Sequence, residues 1–200
     1  MRLAYADPPY PGNAYLYTNH PDYAGEVDHL DLITTLRANY DGWALSTSAN
    51  ALHQLLPICP PEARILAWVK HTVTVSWEPV IVVPARKPEG VRDWIQVEPD
   101  SYQWRDKPDT YLIGQKPEAF CLWLFAWLGA QPGDTLADLY PGSGNVTRAW
   151  NRWQQQPSLP IARSPAAEAR AGRRALEQAL RDHPQLTVED CISLTEKDAA

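Results

Sequence analysis

Positions 135–146 read Thr135-Leu136-Ala137-Asp138-Leu139-Tyr140-Pro141-Gly142-Ser143-Gly144-Asn145-Val146. The apolar start predicts a buried strand, the two glycines a tight turn, and the end of the stretch a helix that begins near Asn145. Glycine lets the backbone approach a ligand closely, and the first turn of a helix directs N–H groups toward an anion. The stretch therefore predicts a strand–turn–helix unit suited to a nucleotide-like ligand, although an ordinary strand-to-helix turn shows the same pattern.

The rest of the chain alternates between strand-like and helix-like segments. Strands are predicted at 2–6, 43–47, 64–69, 80–83 and 136–140. Helices are predicted at 27–37, 49–56, 118–128, 146–154 and 166–181. Such alternation predicts an α/β fold with a mostly parallel sheet and helices on both faces. Ligands of open sheets of this kind bind beyond the carboxyl ends of the strands.

A second stretch, Asp7-Pro8-Pro9-Tyr10, directly follows the first predicted strand. The amino nitrogen of a nucleobase is a weak nucleophile because its lone pair is delocalised into the ring. A carboxylate and a backbone carbonyl that accept its N–H bonds would stabilise the positive charge that develops on it. Asp7 supplies a carboxylate, the prolines present only backbone acceptors, and Tyr10 offers a face on which a base can stack. A Pro-Pro turn followed by a surface tyrosine explains the tetrapeptide equally well.

A third stretch, Gly114-Gln115-Lys116-Pro117-Glu118, precedes an apolar run at 119–128. Pro117 suits the first turn of a helix, and Glu118 is favourable near the positive end of the helix dipole. The run is too short to span a bilayer, so it predicts a buried core helix.

Together these stretches resemble the motifs of the amino-group DNA methyltransferases that use S-adenosylmethionine, in the circularly permuted order in which the catalytic motif comes first. The family pattern is DPPY, a Lys-Pro pair that opens a helix, and D-x-F-x-G-S-G, where Tyr140 replaces the usual phenylalanine. Segments 67–70 and 77–83 are similar to a late strand pair of the family. The resemblance covers about residues 1–150 and extends in detail to short methylase-like proteins of actinobacteria and their phages.

The resemblance implies a Rossmann-like methyltransferase fold and methyl transfer to the exocyclic N6 of adenine in DNA, with base flipping and no covalent enzyme intermediate. The catalytic residues would be Asp7, Pro8, Pro9 and Tyr10, and no metal is required. The cofactor S-adenosylmethionine would be bound by Asp7, Lys116, Pro117, Asp138, Tyr140, Pro141, Gly142, Ser143 and Gly144. Three alternatives keep the same fold: transfer to N4 of cytosine, transfer to a smaller nucleotide, or a catalytically silent subunit that binds nucleic acid or a partner.

One feature departs from the family pattern. Members usually carry an acidic residue at the end of the strand after the glycine turn, where it binds the ribose hydroxyls of the cofactor. The corresponding stretch, 159–165, contains no carboxylate. Either Glu168 approaches from the next predicted helix, or the cofactor site is weakened or lost.

The substrate is expected to contact Tyr10 and two loops. The stretch 11–25 contains Asn13 and Tyr15 and is long enough to form a lid over a bound base. The stretch 86–107 begins with Arg86 and Lys87 and mixes cations with aromatic residues, which suits contact with nucleic acid. Ordinary solvated loops have the same composition.

Composition predicts one domain over 1–200, with a catalytic half at 1–112, a cofactor-binding half at 113–182 and a polar tail at 183–200. The net charge of −6 means that any phosphate-binding face must be local. The chain leaves little room for the separate target-recognition insertion of the family's larger members, so target recognition is expected to be relaxed, assisted by a partner protein, or supplied by self-association with a second copy of the chain. The three cysteines form no CxxC pair. This pattern favours reduced thiols. Asp7 lies too close to the N-terminus for a signal peptide, and no apolar run is long enough to span a membrane. These features together predict a cytoplasmic protein.

Overall fold

The computed structural model of the chain describes residues 1–18, 23–70, 76–98, 115–156 and Arg181. All of these except Arg181 belong to one compact unit, Met1–Ala162, and a second unit is formed by Arg163–Ala200. Of the helix predicted at 166–181 only Arg181 is described, and this residue is helical and exposed. The predicted tail at 183–200 lies outside the described residues. A single domain over the whole chain stays a prediction.

The described residues of the first unit form six strands and four α-helices. The strands are β1 (Arg2–Ala6), β2 (Gly42–Ser46), β3 (Arg64–Val69), β4 (Trp77–Val83), β5 (Trp94–Gln96) and β6 (Thr135–Asp138). The α-helices are α1 (His29–Asn39), α2 (Leu52–Leu55), α3 (Glu118–Leu128) and α4 (Asn145–Gln155). Short 3-10 helices occupy Ala14–Tyr17, Ala49–Ala51 and Leu56–Ile58.

The six strands form one sheet in the order β5-β3-β4-β2-β1-β6. β1 lies between β2 and β6 and runs parallel to both, and β5 runs parallel to β3. Among the described strands, β4 alone runs antiparallel to its neighbours, β2 and β3. The connection from β3 to β4 is too short for a parallel crossover, which needs about a dozen residues, so the chain must reverse there. The start of β4 consequently lies at the edge where β1, β2, β3 and β6 end.

Helices cover both faces of the sheet. On β1, Leu3 and Tyr5 face the cluster formed with α3 and α4, whereas Ala4 and Ala6 face the cluster formed with α1 and α2. This division follows from the alternation of side chains along a strand. All four side chains are at most 1% exposed, so β1 is buried on both faces, as strands between two helical layers are.

α3 begins and ends at the predicted residues and is apolar nearly all round. Its side chains Phe120, Trp123, Phe125 and Trp127 are buried, and the ring of Phe125 lies 5.0 Å from that of Trp150 on α4. The indole N–H groups of Trp123 and Trp127 both donate to the Arg92 carbonyl. Without these bonds, burial of the two tryptophans would leave their indole N–H groups without a hydrogen-bond acceptor. Within the described ranges, no helix combines the length and apolar character needed to cross a membrane.

One predicted helix differs from the fold, and two observed elements were not predicted. The predicted helix at 49–56 is a single α-helical turn, α2, between two 3-10 helices. Pro57 accounts for this, because it lacks the N–H that would continue the helical hydrogen bonds. β5 and the 3-10 helix at Ala14–Tyr17 were not predicted. β5 is only three residues long, which is too short for an alternating pattern to be recognised.

A buried ion pair joins β4 to β6 at the edge where β1 begins. Asp134, just before β6, has a side chain that is 4% exposed, and it accepts bonds from both Arg86 terminal nitrogens, at 2.5 and 2.9 Å. Arg86 also donates to the Gly129 carbonyl at 2.8 Å, and the Gln131 amide donates to Asp134 at 2.8 Å. The hydrogen bond from Arg86 holds the pKa of Asp134 well below its ordinary value.

Replacement of Asp134 by asparagine should lower the free energy of unfolding at neutral pH, because it removes the carboxylate charge that pairs with Arg86. Since the folded-state pKa of Asp134 is depressed, this stabilisation is complete above the unfolded-state pKa, about 3.9, and is lost as the pH falls through the folded-state value. Denaturant unfolding at pH 7 and pH 3 measures the difference. Asp93→Asn, at an exposed carboxylate, is the control; an equal loss in both variants would contradict the assignment.

Candidate functional site

The Asp7–Tyr10 turn and the glycine turn open at the same edge of the sheet. The first follows β1 and the second follows β6, and these strands are parallel neighbours with Tyr5 paired to Asp138. The pairing continues one residue further, where the Leu139 amide donates to the Tyr5 carbonyl at 2.9 Å. Parallel strands end at one edge, so two segments far apart in the sequence lie side by side.

The glycine turn has the backbone geometry that its sequence suggests. Gly142 and Gly144 have φ values of 46° and 74°, in the left-handed region that favours glycine. Gly144 is the N-cap residue of α4 and has no side chain to bond the first N–H groups of the helix. A Cβ atom on Gly144 would lie 3.1 Å from Arg148 Nη1. The bare turn therefore leaves the start of α4 accessible to a ligand.

Asp138 ends β6 beside this turn. Its Oδ2 accepts a bond from the Thr147 hydroxyl at 2.9 Å, whereas its buried Oδ1 has no hydrogen-bond partner among the residues described. Burial raises the pKa of Asp138, and the nearby Asp7 raises it further. A buried carboxylate oxygen without a donor is unfavourable, so this site fits a ligand that carries an ammonium or another N–H donor.

Asp7 lies at the end of β1 with 23% of its side chain exposed. Its Oδ2 accepts a bond from Lys116 Nζ at 2.7 Å, and its Oδ1 lies 3.4 Å from the Tyr10 hydroxyl. Burial raises the pKa of Asp7, and the Lys116 ammonium acts against this increase. The carboxylate is thus oriented by a charged donor and remains partly open to a substrate.

The Lys-Pro pair joins the other two motifs. Pro117 is the N-cap residue of α3, and Lys116, immediately before it, has a side chain that is only 5% exposed. Lys116 bonds Asp7 through its ammonium, and its carbonyl accepts a bond from Asn145 Nδ2 at 3.2 Å. The structure therefore brings all three predicted motifs together at one edge of the sheet.

Two charged residues of this edge were not among the predicted site residues. Glu78, near the start of β4, forms a short ion pair with Lys70, which follows β3, and Glu78 Oε2 lies 3.8 Å from Lys116 Nζ. The Lys70 and Glu78 side chains are 7% and 12% exposed. The signal available in the sequence was one charge, Glu78, inside a mostly apolar strand and another, Lys70, directly after the preceding strand.

The loop after Tyr10 carries several of the predicted substrate contacts. The Asn13 amide donates to the Tyr10 carbonyl at 2.8 Å, and Tyr15, on the following 3-10 helix, is 64% exposed. Glu26 fixes this loop by accepting bonds from the Gly12 and Ala14 amides, at 3.2 and 3.3 Å. Aromatic side chains are thus presented to solvent next to the Asp7–Tyr10 turn.

Other predicted residues lie elsewhere. Arg86 is at the opposite edge of the sheet, where it bonds Asp134, and Lys87 next to it is exposed. Tyr140 packs against the cluster formed with α1 and α2, and burial raises its pKa. Pro141 is exposed and Ser143 is half-buried on the glycine turn. Residues 99–107 of the mixed cationic stretch, the stretch 159–165 and Glu168 lie outside the described residues.

Comparisons with known proteins find similarity among solved structures. No protein-family model matches the chain, and no curated protein sequence does either. Among solved structures, the chain is similar to the crystal structure of the M1.HpyAVI–SAM complex, with a TM-score of 0.51 and 14% sequence identity. The match covers 76% of this chain and 78% of that one. The likeness shows a shared fold, and it confirms the expected Rossmann-like methyltransferase fold with a mostly parallel sheet.

Proposed function

We propose that this protein is an S-adenosylmethionine-dependent DNA methyltransferase that acts on the exocyclic N6 of adenine, with its motifs in the circularly permuted order. The observation that carries the proposal is the juxtaposition of the Asp7–Tyr10 turn with the glycine turn, through the parallel pairing of β1 with β6. An acceptor of amino N–H bonds and a ligand-binding turn would then lie side by side. The similarity in fold to a protein whose crystal structure contains S-adenosylmethionine supports the same assignment.

The residues of the glycine turn suit the methionine part of this cofactor. The partnerless Asp138 Oδ1 would accept a bond from the cofactor ammonium, and the start of α4 after Gly144 would face its carboxylate. Lys116 and Pro117 would line the same cleft. The cofactor would supply an electrophilic methyl group on a positively charged sulfur, and that sulfur would keep the bonding electron pair.

Asp7 and Tyr10 would act on the acceptor. Asp7 and the Pro8 carbonyl would accept the two N–H bonds of the target amino group, which directs the nitrogen lone pair toward the methyl group. As the nitrogen acquires its new bond it must lose one proton, and the Asp7 carboxylate is placed to receive it before passing it to water. Pro9 stiffens the turn, and Tyr10 would stack on the extruded base and recover part of the cost of extrusion.

The choice of adenine in DNA rests on the aspartate that opens the tetrapeptide, an adenine-favouring tendency within the family that the chain resembles. The exposed Tyr15 next to the turn supports contact with a base, and Asn13 fixes the path of that loop. Assistance from a second copy or a partner protein, a cytoplasmic location and a relationship to actinobacterial and phage proteins belong to the same proposal. Methyl transfer to unmodified DNA, followed by mass analysis of the digested nucleosides, tests the proposal. N6-methyl-2′-deoxyadenosine supports it, N4-methyl-2′-deoxycytidine corrects the base, and the absence of any methylated product overturns it.

Asp7→Ala should lower kcat for DNA methylation by about 10²- to 10³-fold, because it removes an acceptor that stabilises developing charge. Cofactor binding should weaken far less than kcat, by no more than about threefold, since Asp7 would supply only one of the cofactor contacts and the methionine contacts lie on the glycine turn. Radiolabel transfer gives kcat, and calorimetry with S-adenosylmethionine gives Kd. Full activity of Asp7→Ala would refute the catalytic assignment.

Asp138→Ala should weaken cofactor binding by about 10- to 100-fold, which corresponds to one charge-assisted hydrogen bond. Thr147→Val is the matched control: it removes the hydroxyl that bonds Asp138 Oδ2 but leaves the carboxylate in place, so a smaller loss is expected. Calorimetry measures both. Equal affinity in Asp138→Ala and the unmodified protein would show that Asp138 does not contact the cofactor.

Tyr10→Ala should weaken DNA binding by about 1–3 kcal/mol through the loss of stacking, whereas Tyr10→Phe, which keeps the ring, should bind nearly as well as the unmodified protein. Fluorescence anisotropy with a short labelled duplex measures both affinities. If the two variants lose the same affinity, the hydroxyl rather than the aromatic face is the group that matters.

A further inference from the structure

Four charged side chains of alternating sign lie in a row beneath the Asp7–Tyr10 turn. Asp7 bonds Lys116 at 2.7 Å, Lys116 Nζ lies 3.8 Å from Glu78 Oε2, and Glu78 Oε1 accepts a short bond from Lys70. Exposure decreases from 23% at Asp7 to 5–12% for the other three side chains. The row therefore begins at the open site and ends in the interior, and its formal charges sum to zero.

The two lysines are held by an aromatic ring as well as by carboxylates. Trp68 lies in β3, and the centre of its ring is 4.0 Å from Lys70 Nζ and 5.3 Å from Lys116 Nζ. Its indole N–H donates to the Val97 carbonyl at 2.8 Å, which fixes the ring. The face of a tryptophan attracts cations, so one rigid side chain sets the position of both ammonium groups.

Removal of four charges from water is costly, and ion pairs in such surroundings often add little to stability. An arrangement of this kind, beginning at the proposed acceptor of the target amino group, therefore needs an explanation besides folding. Lys116 occupies Asp7 Oδ2, the same carboxylate that a target amino group would use. Glu78 Oε2 makes no hydrogen bond within the described part of the chain. It can thus receive the Lys116 ammonium when a substrate engages Asp7.

We propose that Glu78 and Lys70 are positioning residues for methyl transfer. Glu78 holds the Lys116 ammonium at a distance that orients the Asp7 carboxylate and still leaves this carboxylate available to the substrate. Lys70 balances the charge of Glu78. This inference rests on the proposed function. Neither residue contacts the reacting atoms. Both act on Asp7 through Lys116, and this action predicts effects of opposite sign when each charge is removed.

The signs follow from the charges that face Asp7. These are Lys116 before α3, Glu78 on β4, Lys70 after β3 and Asp138 on β6, and the tyrosines Tyr5, Tyr10 and Tyr17 also border this site. Glu78 raises the pKa of Asp7 and Lys70 lowers it. Removal of Glu78 should therefore keep Asp7 ionised to lower pH, and removal of Lys70 should let it take up a proton at higher pH.

The test compares Glu78→Gln, Lys70→Met and the double variant in DNA methylation assays across pH. Glu78→Gln should move the acidic limb of the kcat profile to lower pH, Lys70→Met should move it to higher pH, and the double variant should return it close to that of the unmodified protein. At the optimum, each single variant should lose about 10- to 100-fold in kcat with the KM for S-adenosylmethionine nearly unchanged. Glu62→Gln, an exposed carboxylate before β3, should change neither quantity.

A second measurement separates this inference from the proposed function. The carboxyl carbon of Asp7, assigned by its disappearance in Asp7→Asn, is titrated by ¹³C NMR in the same variants, which requires no activity. The unmodified protein could transfer no methyl group while the Asp7 titration still shifts in opposite directions in Glu78→Gln and Lys70→Met. In that case the proposed function fails, but the electrostatic action of Glu78 and Lys70 on Asp7 is confirmed. The inference is overturned if neither the acidic limb of the kcat profile nor the Asp7 titration moves in the variants. It is also overturned if the variants have the same kcat as the unmodified protein. Should Glu78→Gln not fold, Lys70→Met alone still tests the direction.

Discussion

Parallel pairing of β1 with both β2 and β6 is the constraint on which the site depends. It fixes the position of Asp7 relative to Asp138, because Tyr5 and Asp138 are opposite each other in the register. A shift of one residue in the register would move every side chain of β1 to the other face of the sheet. Leu3 would then face the cluster formed with α1 and α2, and Ala4 would face the cluster formed with α3 and α4. The burial of β1 on both faces therefore protects the geometry of the Asp7–Tyr10 turn.

The reversal of β4 contributes to the same edge in a different way. Because β4 runs opposite to β2 and β3, its first residues, rather than its last, meet the ends of β1 and β6. This places Glu78 next to Lys116, and the short connection from β3 places Lys70 beside Glu78. The opposite end of β4 brings Arg86 to Asp134, where the ion pair holds the sheet together far from the site. One strand thus supplies a charge to the site at one end and a structural anchor at the other.

The proposed chemistry needs little from the protein beyond orientation and charge. Asp7 is held by Lys116, the glycine turn leaves Asp138 Oδ1 without a partner among the described residues, and the loop after Tyr10 presents aromatic side chains to solvent. Each of these features is costly or neutral for folding alone. These features occur together at one edge of the sheet. At the opposite edge, both Asp134 oxygens accept hydrogen bonds from groups that hold the fold together.

The sequence by itself determined the elements whose signals are local: the apolar runs of β1 and α3, the glycine turn before α4, and the charged and aromatic residues of the Asp7–Tyr10 turn. Strand and helix periodicity, proline and glycine act over a few neighbouring residues, so they can be interpreted without knowledge of the fold. Only the tertiary structure decided that Lys70 and Glu78 join the site and that Arg86 lies away from it. Those outcomes depend on strand order and direction, which arise from contacts between residues far apart in the chain, and a single residue carries no signal of them.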